Sequence, residues 1–249
     1  MKEKHKMSHI RKVYMARLVG RCVVLLCAVA LYILRPQAFD ILQGFAFFKK
    51  FSLLHLLWLV WMLDMLFQLI PAKDVALGSH KHMEFRFRPV LEKINFQALK
   101  DHIAATTRSA YKVFLIWTLL ILSLGLLKFL GVLADAHLLL VSILFYVCDL
   151  ICVLIWCPFR LIMKNKCCTT CRIFNWDHLM MFTPMLLVGS FFSNTLLLLA
   201  FVVWALWECC VFIYPERFWY KSNAALTCAA CTDKLCTQYC RKLRPKEPA

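Results

Sequence analysis

Six apolar runs, separated by segments rich in lysine and arginine, set the pattern of this chain: residues 18–34, 51–70, 112–134, 137–156, 179–192 and 195–214. Most approach the ~20 residues that a helix needs to cross a bilayer. Pro36 and Pro71 follow the first two and stop them, because proline removes a helix donor and restricts the residue before it. Asp135-Ala136 is a tight break, so the third and fourth runs are expected to form an antiparallel hairpin. The stretch 179–214 is too long for one ordinary span; Ser193-Asn194 predicts a turn that divides it, and Thr183-Pro184 predicts a kink. A single long tilted helix there would instead move the C-terminal tail to the opposite face. Residues 96–108 read as an amphipathic helix feeding the third run, and the alternation in MEFRFRP (83–89) as a short strand. The expected fold is all-α: a polytopic helical membrane protein with about six transmembrane helices spread over 18–214.

Charge orients these spans. Of 30 lysines and arginines, 24 fall in residues 1–17, 72–110, 157–177 and 215–249, and the intervening loops hold only Arg35, Lys49 and Lys50. By the positive-inside rule the N-terminus, the loops 72–110 and 157–178 and the tail 215–249 face the cytoplasm. The basic N-terminus ahead of an apolar run also suits a signal peptide. No small-residue cleavage site follows Leu34, so the run is expected to be retained as a first span in the cell membrane. Composition agrees, with 62% hydrophobic and 18% charged residues. The formal charge of +16 sits beside apolar spans, where it meets anionic lipid at the cytoplasmic face rather than nucleic acid.

None of the 14 cysteines falls in an expected outer loop, which argues against a disulfide-bonded ectodomain. The tail reads CAACTDKLCTQYC, placing Cys228, Cys231, Cys236 and Cys240 at C-x2-C-x4-C-x3-C. Paired thiolates at that spacing suit Zn2+ or an iron–sulfur cluster, and spacing does not separate the two. The competing reading is a set of reduced or S-acylated tail thiols. The insert 157–178 adds Cys157, Cys167, Cys168 and Cys171 among Arg160, Lys164, Lys166 and Arg172, whose charge favours thiolate. It is expected to share a site with the tail or to build its own; the plainer reading is a basic loop with incidental thiols. Cys157-Pro158 and the C-x2-C elements beside spans resemble the membrane-bound polyferredoxin-type proteins of respiratory chains, which use C-x3-C-P motifs and ferredoxin-like tails. Here Cys236–Cys240 is followed by Arg241, and the tail has four residues where a ferredoxin run has two. The likeness covers fewer than half of the cysteine positions and implies no activity.

Polar residues inside the spans form a second pattern. Asp64, Asp149 and Glu208 each lie 12–13 residues from the outer ends of their runs, about 19 Å at 1.5 Å per residue, and Arg21 reaches the same level from the other direction. Gln68 lies one turn inward of Asp64. Charges at that depth must pair or face water, so this layer is either a proton or cation site or a packing device. Histidine is sparse inside the spans, with His55 alone, and haem is not expected. His80 and His82 read as a solvated loop, and Asp177-His178 after Trp176 as a helix cap with an interfacial anchor.

Two functions follow. The first is a cytosolic thiolate metal site, iron–sulfur or zinc, serving redox transfer or metal sensing with a redox or membrane partner subunit. The second is proton- or cation-coupled transport through the acidic layer. No enzyme signature accompanies either.

Overall fold

The computed structural model describes residues 8–49, 51–69, 82, 86–90, 94–165, 167–231 and 235, and among them no strand forms. Helix α1 (His9–Leu34) starts at Ser8, whose Oγ accepts the Arg11 N–H at 3.2 Å, and stops ahead of Pro36. Two 3-10 turns, Pro36–Leu42 and Ala46–Phe48, lead to α2 (Leu54–Leu69). Helix α3 (Phe96–Phe129) is capped by Asn95, which accepts the Gln97 and Ala98 N–H groups. The expected amphipathic helix and third span are thus one 34-residue rod. At about 51 Å it outruns the ~30 Å hydrocarbon layer, so its polar first turns stand outside. Gly131, at φ +75°, makes the left-handed turn into α4 (Asp135–Leu154). Lys128 bridges that turn, pairing with Asp135 at 2.6 Å and donating to the Leu187 carbonyl.

Four helices, α1, α3, α4 and the last, α7 (Phe191–Ile213), are long and apolar enough to cross a membrane; α2, with 16 residues, is apolar but shorter. Between α4 and α7 the chain breaks repeatedly. After α5 (Phe159–Met163) come 3-10 turns at Cys168–Thr170 and Phe174–Trp176, then α6 (Asp177–Phe182) and a further 3-10 turn at Thr183–Leu187. The run 179–192 is therefore not one helix: Pro184 lacks an N–H and the six-residue α6 ends before it. The turn expected at Ser193-Asn194 lies earlier. Gly189, at φ +68°, takes the left-handed conformation, and Ser190 caps α7 by accepting the Ser193 N–H at 3.2 Å. The expected strand is replaced, within 86–90, by a single antiparallel bridge between Pro89 and Asn223; residues 83–85 lie outside the described set.

Helix α4 is the central post. Of its most apolar stretch 44% is buried, against 11% for α1 and for α3, whose remaining surface faces outward as lipid-facing surface does. Helix α1 lies along α4, and α6 with the 183–187 turn covers another side of α4. Helix α7 packs on α2 and α6. One end of the bundle, here called distal, is filled by Trp61, Leu139, Ile143, Phe182, Phe192 and Leu196. The proximal end, where α1 begins and α4 and α7 finish, holds Val113, Met163, Trp176, Trp207 and Phe218 in one cluster and Tyr14, Leu18, Val147, Leu150 and Leu154 in another. Because lipid tails are as apolar as these side chains, close packing and interhelical polar bonds hold such a bundle together.

Candidate functional site

Two polar constellations interrupt the apolar packing, and both sit toward the proximal end of α4. The first begins with Arg21 of α1. Its Nη1 donates to Asp149 Oδ2 at 2.7 Å and to the Tyr146 carbonyl at 2.6 Å, and its guanidinium carbon lies 3.7 Å from the centre of the Tyr146 ring. Arg21 Nη2 is 3.7 Å from Asp64 Oδ2 on α2. From there the chain of contacts continues to α6: His178 Nε2 is 3.4 Å from Asp64 Oδ2, and His178 Nδ1 is 3.3 Å from Asp177 Oδ1. Gln68 closes the series by donating from Nε2 to Asp177 Oδ2 at 3.3 Å. Both ring nitrogens of the buried His178 face carboxylates, which is satisfied when both carry hydrogen, as in an imidazolium.

Four of the five residues expected at one depth, Arg21, Asp64, Gln68 and Asp149, therefore belong to one series, with His178 and Asp177 as its missing members. Glu208 does not join it. Helix α7 turns that carboxylate toward the 157–176 segment, where Arg172 grips it through both oxygens at 2.7 and 2.5 Å and Trp176 Nε1 donates at 2.7 Å. Trp207 Nε1 fixes the Arg172 carbonyl at 2.8 Å. Asp177 is in the first turn of α6 but provides no side-chain cap; its oxygens are committed to Gln68 and His178. The sequence held one signal for this role: a histidine and an acid immediately before a run entering hydrocarbon. His82 is buried, stacked on Phe218 at 4.6 Å and edge-on to Trp207, rather than solvated; His80 lies outside the described residues.

The second constellation is sulfur. A cavity of about 230 Å³ is lined by Cys148 and Cys152 of α4 together with Cys157, Cys167, Cys168 and Cys171, and by Asp149 and Asp177 on another side. Cys148 and Cys152 are four apart and share a helix face. Cys157-Pro158 ends the run of α4, so the chain doubles back and brings 167–171 beneath it. The Cys152 and Cys168 thiols and the Phe159 and Arg160 N–H groups are the donors nearest the Cys157 sulfur. Those donors hold its thiol down at about 3, against the upward push of burial. Cys168 is pushed up by the neighbouring Cys157 and then by burial, and its S–H donates to the Cys152 carbonyl at 3.1 Å. Burial pushes the Cys171 thiol up to about 11. The described pattern is one thiolate among protonated neighbours, and the 12 described cysteines are all free.

The four insert thiols are thus gathered, and α4 supplies two more that tail-and-insert spacing did not indicate. The tail thiols are not gathered in the same way: Cys228 is exposed, Cys231 is half-buried, and Cys236 and Cys240 lie outside the described residues. As the side chains stand, no three histidine, cysteine or acidic groups among the described residues are disposed to hold a metal ion. No family model, curated protein or solved structure matches this chain.

Proposed function

We propose that this chain is a cell-membrane protein of six spans, with both termini in the cytoplasm, that carries a thiolate centre for soft-metal ligation at its cytoplasmic face. The centre serves redox transfer or metal sensing. The observation that carries the reading is the cavity lined by six cysteines, Cys148, Cys152, Cys157, Cys167, Cys168 and Cys171. Cys152, Cys157 and Cys168 are the ligands nearest to readiness. Zn2+ or an iron–sulfur cluster would displace the two thiol protons and draw the three sulfurs together, with Cys171 or a tail cysteine as the fourth ligand. The basic segments on the same face, with their excess of lysine and arginine, support the assigned orientation.

Anaerobic purification of the full chain, followed by metal analysis and a visible spectrum, tests this. One zinc per chain, or iron with sulfide absorbance, is expected, and Cys157→Ser with Cys168→Ser should lose it. A metal-free, colourless wild-type protein would overturn the reading.

A second reading, proton translocation, is favoured by a separate observation. Asp64 lines a large groove between α1 and α2, Asp177 lines the thiol cavity, and His178 stands between the two carboxylates. Arg21 keeps its proton and acts as a fixed counter-ion. The transferable step starts from the Nδ1–H neutral ring of His178: Nε2 takes the proton of a protonated Asp64 to give the imidazolium, Nδ1 then gives its proton to Asp177, and the ring returns to the Nδ1–H tautomer before the next cycle. In proteoliposomes under an imposed potential, Asp64→Asn and His178→Gln should each cut proton flux at least tenfold while the protein stays monodisperse. Flux equal to wild type in both would exclude this path.

A further inference from the structure

The groove between α1 and α2 has a volume of about 870 Å³, within the ~300–1,000 Å³ range of ligand sites. Its floor is Tyr146 of α4, and its walls are almost wholly apolar, with Val24 and Leu31 of α1 facing Leu57 and Val60 of α2. It follows α1 from Arg17 to Arg35, about 27 Å at 1.5 Å per residue, close to the ~30 Å hydrocarbon thickness. A long dry groove in a membrane fills with hydrocarbon chain. What distinguishes this one is its proximal end.

Three charged side chains close that end: Arg17, Arg21 and Asp64. Arg21 is committed to Asp149 and leans on Asp64, and Asp64 is also held by His178. Arg17 differs. It is exposed, its guanidinium lies 5.4 Å from the centre of the Tyr14 ring, and no carboxylate among the described residues forms a salt bridge with it. One turn beyond Arg21 toward the N-terminus, it stands about 26 Å from the distal end of α1, the level at which headgroups begin. An apolar trough that ends in an exposed guanidinium with no salt bridge among the described residues is complementary to an amphiphile with an anionic head.

We propose that this groove is a binding site for one anionic phospholipid, its acyl chains along α1 and α2 and its phosphate against Arg17. Arg35, at the opposite end, takes no part in headgroup selection. The preference expected from one cationic side chain near the surface is about fivefold for phosphatidylglycerol over phosphatidylcholine.

The test uses the full chain, purified and delipidated in mild detergent, titrated with each lipid, and examined by native mass spectrometry for retained adducts. Wild type is expected to keep one phosphatidylglycerol per chain in about fivefold preference. Arg17→Gln should bring the ratio near one, and Arg35→Gln should leave it unchanged. Val60→Trp, which fills the groove, should lower retention of both lipids without changing their ratio. Equal retention of the two lipids by wild type, a ratio unchanged in Arg17→Gln, or a ratio abolished by Arg35→Gln would each overturn the site. So would a stable dimer or a co-purifying helical partner that excludes lipid, since the groove would then be a protein interface.

Discussion

Replacing Arg21 by methionine keeps an unbranched apolar stem and removes the one cation that touches Asp149. In the native bundle the Arg21 and Asp149 side chains are only 12% and 23% exposed, so neither charge is well hydrated. At an effective dielectric of ~20 the 2.7 Å contact has a gross attraction of about 6 kcal/mol, which is offset by several kcal/mol of desolvation per ion. The net worth of the pair is therefore small, while the cost of leaving Asp149 without its partner is large, about 3–5 kcal/mol. Asp64 suffers less, because His178 remains 3.4 Å away. Removing both charges, in Arg21→Met with Asp149→Leu, should cost much less than the two single losses together. Neighbouring sites couple by about 0.5–3 kcal/mol, and a value of about 2 kcal/mol or more is expected here. SDS-induced unfolding in mixed micelles, followed by the fluorescence of the eight tryptophans, gives the four stabilities of the cycle. Losses that add to within about 0.5 kcal/mol would refute the pairing and with it the first link of the polar series.

Two further outcomes follow from the same physical terms. Neighbouring donors hold the Cys157 thiol well below the ordinary range, so its alkylation by iodoacetamide should be nearly level from pH 5 to 8, whereas an ordinary thiol gains about tenfold per unit below its pKa. A tenfold rise per unit at Cys157, read by mass spectrometry of the labelled peptide, would show that the neighbouring thiols do not donate to it. The Arg172–Glu208 contact uses both guanidinium nitrogens, a fork that lysine cannot reproduce. Arg172→Lys should therefore cost about 1.5–3 kcal/mol and Arg172→Met more, in the same micellar unfolding assay; a loss below about 0.5 kcal/mol for Arg172→Lys would mean that Trp176 alone holds Glu208.

The apolar runs carried the helical, membrane-embedded architecture, because length and hydropathy must match the bilayer whatever the packing. Helices α2 and α4 lie within a few residues of the expected spans, and α1 ends where expected but begins nine residues earlier. The departures have local causes. The run expected as a fifth span is broken because Pro184 and Gly189 admit no continuous helix, and the helix expected as the third span gained its leading turns because nothing between Phe96 and Lys112 stops a helix. Grouping of the insert thiols was legible from their density, but the contribution of Cys148 and Cys152 was not. That depends on the chain reversing at Cys157-Pro158, which proline suggests without fixing its direction.

The sequence by itself determined spacing along each apolar run, and counting at 1.5 Å per residue led to the expectation that Arg21, Asp64, Asp149 and Glu208 share one level. Only the tertiary structure decided direction around each helix axis, which a residue count does not encode. Because α1 lies on α4 and α7 lies on α2 and α6, Arg21 meets Asp149 and Asp64, whereas Glu208 turns to Arg172. His178 entered the series through α6, 114 residues beyond the Asp64 it touches, since the pairing of buried charges is settled by which helix faces pack.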